Sequence, residues 1–520
     1  DCRRGNFKKA LDLIDRSLVR NWHHHKARQL KVSILRHLGR KEEALELIAE
    51  SLKIDRFNMG CRFEQYLLTG DDHVLKEMQR LMHGAAHVYI EYALDFAQAG
   101  LYDEAINLLG GYAATQGEVY PMVHYALGYC HSRKGDTVKA LEYYKKAEQD
   151  DHSYCFPNRI EEVLVLQDAM KENHEACAKA AYALGNFWYA ARQYDNAIAC
   201  WEASAAIDPA FPTVWRNLSL AYYNKRNDPQ KAVETLEKAY RLDESDARIL
   251  MELDQLYKRL GRPQAERLAF LEAHPAETES RDDLSIERIT LYNQLGRYEE
   301  AKALIAARKF HPWEGGEGKI TGQYTICHVE LAKIALREHR YADALALLQA
   351  TDQYPYNLGE GKLINAEEND IWYYKGLAYR GLGDEENATL WLHKATQGSA
   401  EPQQAFFYND AQPDKIFYQG LAWRALGEEG KARGRFNKLI KHGEKHLFDH
   451  CRIDYFAVSL PDLAIWEDNL DKRNAIHCNY VMGLGYLGLE DRVHAIEYLD
   501  KARALDINHQ GAQIHRELCE

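Results

Sequence analysis

At 520 residues the chain is long enough for several domains or one long repeat array, and its 46% hydrophobic and 28% charged residues are ordinary for a water-soluble protein. No stretch approaches the roughly 18 uninterrupted apolar residues of a membrane helix. The net charge of -13 disfavours a polyanionic partner such as nucleic acid, because phosphate binding draws on clustered Lys and Arg.

The chain opens "DCRRGNFKKALDLI", with no initiator Met and no basic-then-apolar leader, and its helical periodicity starts within a few residues. The expectation is a trimmed domain or a fragment. Ten cysteines run from Cys2 to Cys519 with no CxxC pair, and several fall inside helical patterns as small apolar residues, which reads as a reducing, cytoplasmic setting. In "NWHHHKAR", His23, His24 and His25 point in different directions on a helix and cannot converge on one ion. No metal and no cofactor is expected.

Two stretches, "LGYCHSRKGDTVKALEYYKKA" at 127 to 147 and "LGNFWYAARQYDNAIACWEASAAIDP" at 184 to 209, follow one template. Small Gly128 or Gly185 lets the first helix of a pair approach the second, Ala140 or Ala197 does the same from the other side, and aromatic residues fill the space between. This template is that of the 34-residue tetratricopeptide repeat, with Leu184, Gly185, Trp188, Tyr194, Ala197, Trp201 and Pro209 at its signature places, and the chain resembles proteins of that class. The resemblance implies an all-α fold, a right-handed superhelix (α-solenoid) of about twelve helix pairs, because one pair alone would leave its apolar face wet.

The second-helix alanine recurs at Ala10, Ala44, Ala105, Ala140, Ala197, Ala232, Ala265, Ala301, Ala344, Ala388, Ala432 and Ala495. The intervals from 44 to 105 and from 140 to 197 leave room for a degenerate repeat or extra helices. At "AHPAETESRDDLS", residues 273 to 285, a proline and a polar acidic run mark a seam, giving subarrays 1–275 and 276–520. From Ala301 the step lengthens by about ten residues, which short packed helices cannot absorb, so the extra length is assigned to loops on one face.

Those loops include "HPWEGGEGK" at 311 to 319 and "YPYNLGEGK" at 354 to 362. Two readings stand side by side. In one, the glycines make a turn and the Glu caps a helix or pairs with Lys. In the other, His311, Trp313, Glu314, Glu317, Lys319, Glu360 and Lys362 line a polar site for a sugar or a partner loop, with the indole stacking on a pyranose. A phosphate-binding loop is excluded by the spacing and by the acids.

Further on, "YNDAQPDK" offers Asn409, Asp410 and Asp414, and "IDYFAVSLPDL" offers Asp454, Tyr455 and Asp462, as loop acids that could also be plain turn formers and caps. HExxH, G-x-S-x-G and CxxC are all missing from the sequence, so no autonomous enzyme is signalled.

The position expected to face the concave groove holds Tyr125, Tyr182, Arg216, Tyr373, Phe417 and Tyr480, a set suited to peptide or sugar contact or simply to packing. The Lys and Asn pattern of co-chaperone carboxylate clamps is not present there. The ordered string from "HPWEGGEGK" to "IDYFAVSLPDLAIWEDNLDKRNAIHCNYVMGLGYLGL" resembles the C-terminal part of a bacterial family that joins glycosyl-hydrolase-like and mutarotase-like β-sandwich domains to a repeat array. That resemblance implies a carbohydrate-related scaffold, with a protein partner or a covalently linked N-terminal domain and possible carbohydrate contact. The alternatives are a carbohydrate site formed by the acidic loops and a peptide-binding adaptor using the tyrosine-rich groove.

Overall fold

The computed structural model describes residues 1–174, 176–405, 410–452 and 465–520. Among them are 28 α-helices and two short 3-10 helices, all-α as expected, with enough helices for twelve pairs and several single ones. The interval from 44 to 105 holds an extra pair, Met59–Thr69 and Asp72–Met82, whereas that from 140 to 197 holds a single extra helix, Ile160–Glu172.

Five contacts between the two helices of a pair show why the template reads as it does. A Cβ added at Gly128, Gly185, Gly376, Gly420 or Gly483 would lie 2.3 to 2.7 Å from the side chain of Tyr144, Trp201, Leu392, Phe436 or Leu499, each sixteen residues later. The first helix therefore supplies a bare backbone patch and the second a large side chain that seats on it, a close-packed contact that tolerates no extra methyl group. The template alanines are buried at eleven of the twelve positions; Ala265 is exposed, and in its helix, Gln264–Glu272, the inward places go to Arg267, Leu268 and Leu271. Helix starts are capped by aspartates, with Asp136, Asp228, Asp384 and Asp491 each accepting from a backbone N–H three residues on.

The chain packs as two compact units, Asp1–Ala221 and Tyr222–Glu520. The proline and acid run at 273 to 285 lies within the second, where Pro275–Ser280 is a short helix. In the first unit a continuous core runs from Met59 to Leu184, with Phe63, Phe96, Tyr125 and Tyr144 among its largest buried side chains.

In the second unit the late segments return to the early helices. Trp466 is fully buried, donates from its indole N–H to the Glu252 carbonyl at 3.2 Å and meets Tyr223 edge-on. Arg267, with no exposed surface, donates to both oxygens of Asp254 (3.0 and 2.6 Å), to Glu287 (2.7 Å) and to the side-chain oxygen of Asn508 (3.2 Å). Asn508 also accepts at its carbonyl from Gln294, and Gln264 donates to the Ile507 carbonyl, both at 2.8 Å.

Burial alone would raise Glu287, but Lys258 and Arg267 outweigh it and hold its carboxyl down to about 2. The expected ten extra residues per late repeat go partly into helix as well as loops, since Lys319–Arg337 extends to 19 residues.

Two stability outcomes are expected. Gly185→Ala, which drives a methyl into Trp201, should destabilise the first unit by about 1–3 kcal/mol in urea denaturation, whereas Gly110→Ala, with open space around its Cβ, should be neutral or mildly stabilising. Arg267→Ala leaves Asp254 and Glu287 without their buried cation and should cost the second unit about 3–5 kcal/mol; an unchanged denaturation midpoint would contradict the assigned role.

Candidate functional site: the inner cavity of the second unit

The two GEGK loops pack on each other. Phe310 donates its N–H to the Asn357 carbonyl at 2.8 Å, and the Asn357 side chain donates to the carbonyls of Ile305 and Arg308, also at 2.8 Å. Gly359 adopts φ 75°, and a Cβ there would lie 2.6 Å from the Phe310 carbonyl oxygen, so this glycine is demanded by both conformation and close approach. The two glutamates then do different work. Glu317 closes its own turn by accepting from the Gly315 N–H at 2.8 Å, whereas Glu360 reaches to the neighbouring repeat and accepts from the Gly318 N–H at 2.9 Å. Gly318 caps the helix Lys319–Arg337, so Glu360 places a carboxylate at the positive end of that helix.

The lysines diverge too: Lys362 bonds to the Thr351 carbonyl and pairs with Glu368, while Lys319 is exposed with its ammonium 5.9 Å from the Trp313 ring. Trp313 folds over Gly316, where a Cβ would sit 2.2 Å from the indole. His311 is exposed and donates its backbone N–H to Asp282 at 2.8 Å.

A cavity of about 930 Å³ opens on the inner side of this unit. The first helices of four successive pairs, Lys319–Arg337, Asn369–Gly381, Pro413–Ala425 and Leu470–Gly488, line it together with the last helix, Gln510–Glu517, and the loop around Tyr354 to Glu368. Of the loop residues singled out from sequence, Glu317, Glu360, Asp410 and Asp414 are brought together on its wall; His311, Trp313, Glu314, Lys319 and Lys362 are not part of the lining. Asn409, Asp454, Tyr455 and Asp462 lie outside the described residues.

Of the groove set, Tyr480 lines the cavity. Tyr125, Tyr182 and Phe417 correct the expectation of a groove-facing row, because each is 2% exposed or less. The Tyr125 hydroxyl donates to Glu148 at 2.7 Å, Tyr182 meets Phe211 edge-on, and Phe417 packs on Phe436, so inter-helix packing consumes these rings. Arg216 is half-buried and donates to Asn217 at 3.2 Å; Tyr373 packs between Tyr374 and Tyr418.

The wall is predominantly acidic and partly self-neutralised. Glu330 is paired with Lys333 at 2.8 Å, and Lys415 serves Asp370 at 2.6 Å and Asp414 at 3.3 Å. Burial alone would lower Lys415, but the two carboxylates outweigh it and hold its ammonium above the usual lysine range. Burial raises the Glu360 carboxyl, a shift that Glu317 reinforces and the Gly318 N–H opposes.

Glu367, His477 and His515 also line the cavity and were not anticipated. Glu367 is one of three acids in "NAEEND", which carries no signal of its own. His515 could have been noticed from its place on the buried side of the last helix with Ala512.

Family comparison matches the tetratricopeptide repeat at residues 92–154, 178–247 and 329–402. These stretches are tetratricopeptide repeats. Such arrays present extended concave binding surfaces and serve as protein-interaction scaffolds.

Among solved structures, the chain is similar to the APC/C hetero-tetramer Cut9–Hcn1, at 12% identity over 99% of this chain and 93% of that one, with a TM-score of 0.27. MamA from Desulfovibrio magneticus RS-1 is 22% identical over 38% of this chain and 97% of its own, with a TM-score of 0.22. YrrB, described as a TPR protein with an unusual peptide-binding site, is 15% identical over 46% and 96%, with a TM-score of 0.18. The scores are low, and the repeat assignment rests on the template and on the helix pairing themselves.

The buried histidines give the second unit a pH dependence. Burial pushes both His477 and His515 down to about 4, and for His515 the nearby Asp414 and Asp370 oppose that shift while Lys333 adds to it. An unfolded histidine titrates near 6.5, so between about pH 6.5 and 4 the unfolded chain binds protons that the folded unit refuses. Stability present above 6.5 is therefore lost as the pH falls, by roughly 1.4 kcal/mol per pH unit for each such group. His515→Phe should flatten the melting temperature against pH over that window; a slope equal to that of the parent protein would show that His515 does not contribute.

Proposed function

We propose that this protein is a scaffold for protein partners and that the inner cavity of the second unit holds an extended segment of the partner. The observation that carries the reading is the cavity itself: four successive repeats contribute their first helices to one wall, and the last helix completes it. Its volume falls within the range of ligand-sized clefts, and its lining runs across several repeats, which suits an elongated chain more than a compact molecule. The resemblance noted in the sequence suggests where such a partner segment could be sought, in a β-sandwich domain of the kind that family carries ahead of its array.

A sugar site has less support. Trp313, the ring expected to stack on a pyranose, covers Gly316 instead of lining the cavity. A groove adaptor built on Tyr125 and Tyr182 would need exposed rings, and both are buried.

The test is to pan a random twelve-residue peptide library against the protein and against Gly322→Trp. Gly322 lines the cavity with nothing within 4 Å of a Cβ, so the indole should fill the space without disturbing the helix. Enriched peptides should bind the parent protein at least tenfold more tightly than the plugged variant. Peptides indifferent to the plug would refute the cavity as the site.

A further inference from the structure

Resting on that reading, we infer that the segment held in the cavity is basic, and that the second unit recognises lysine or arginine side chains presented on an extended peptide. Three independent features of the wall converge on this chemistry.

The first is charge. Glu317, Glu360 and Glu367 face the cavity, and among the described residues none of the three is paired with a cation. Their hydrogen bonds come from backbone N–H groups of Gly315, Gly318 and Ser399, with the Thr321 hydroxyl adding one to Glu360, and a carboxylate can accept more bonds than these.

The second is unmet acceptor capacity. The Oε1 oxygen of Glu367 is clamped by the Ser399 N–H at 2.8 Å, and Gly398, at φ +100°, brings its backbone so near that a Cβ would lie 2.7 Å from that oxygen. The other oxygen, Oε2, is buried without a hydrogen-bond partner. His515 is 4% exposed, its Nδ1 donates to the Gly511 carbonyl at 2.7 Å, and its Nε2 is likewise buried and unpartnered. With Nδ1 carrying the proton, Nε2 is an acceptor. A buried acceptor without a donor is unfavourable, and an occupant rich in N–H donors would satisfy it.

The third is aromatic. Tyr354, half-buried, lines the same cavity as the acids and already has the Lys362 ammonium 5.2 Å from its ring, while Tyr418 and Tyr480 are buried in the same wall. Ring faces beside carboxylates favour an ammonium or guanidinium, through the ring quadrupole as well as through charge. An acidic segment would meet a wall on which carboxylates outnumber cations, and where the Lys415 ammonium is already engaged by Asp370 and Asp414.

The experiment titrates a fluorescein-labelled (Lys-Gly)6 peptide against the intact protein by anisotropy, beside (Glu-Gly)6 and (Ser-Gly)6. The lysine peptide should bind at least tenfold more tightly than either, and its affinity should fall as NaCl rises from about 50 to 300 mM. The double variant Glu360→Gln, Glu367→Gln keeps an oxygen for each backbone N–H, so it should melt like the parent while binding the lysine peptide at least tenfold more weakly. Equal binding of the three peptides, or an unchanged affinity in a double variant that melts normally, would overturn the basic segment. Library peptides that depend on the cavity but carry no excess of Lys or Arg would also overturn it, while leaving the peptide site itself intact. Spermine binding tightly where the lysine peptide does not would replace the peptide with a small polycation and overturn the inference.

Discussion

The second unit depends on one buried cation. Arg267, two residues past the template alanine, takes the inward place of its helix and joins the helices Ala247–Arg259, Gln264–Glu272 and Asp282–Gln294 to Asn508 near the end of the chain. A guanidinium with five N–H donors in a fixed plane can serve two carboxylates and an amide at once, which a lysine cannot. Its desolvation is offset only because Asp254, Glu287 and Asn508 meet it together. Fastening residue 508 to residue 267 brings the last helix beside the helix Lys319–Arg337, where Gln323 and Gln510 bond at 3.0 Å. The cavity wall is the product of that return.

The duplicated GEGK loops belong to the same logic. Copying a repeat copies its loop, but stacking places the copies in unlike surroundings, so Glu317 serves its own turn and Glu360 serves its neighbour's helix. Structural and recognition roles are not exclusive here. A carboxylate fixed by a backbone N–H is held in one orientation with a lone pair left over, and a row of such groups forms a preorganised acidic wall whose side chains need little ordering when an occupant arrives.

Much of the fold was legible because the pairing of bare glycine with a large side chain sixteen residues on, and the recurring alanine, are local signals of packing. The failures are equally physical. Ala265 fits the template by residue type, yet its helix is turned so that Arg267 faces inward, and a charged residue at that place reads as surface unless its distant partners are known. Tyr125, Tyr182 and Phe417 were assigned to the groove because tyrosine and phenylalanine serve both as core filler and as contact surface; composition cannot tell which, and burial can. Glu317 and Glu360 stood out through their glycine setting, whereas Glu367 and His515 acquire meaning only from the stacking of repeats more than a hundred residues apart.

The return of the C-terminal segment has a consequence for how such a protein can change over generations. An open stack of repeats can gain or lose a pair at either end, since each contacts only its neighbours. In the second unit, a pair added between Arg267 and Asn508 would shift the end of the chain by one repeat and leave the Arg267 guanidinium short of one of its acceptors. Copy number there is under structural constraint, and variation would be confined to loops and surface positions.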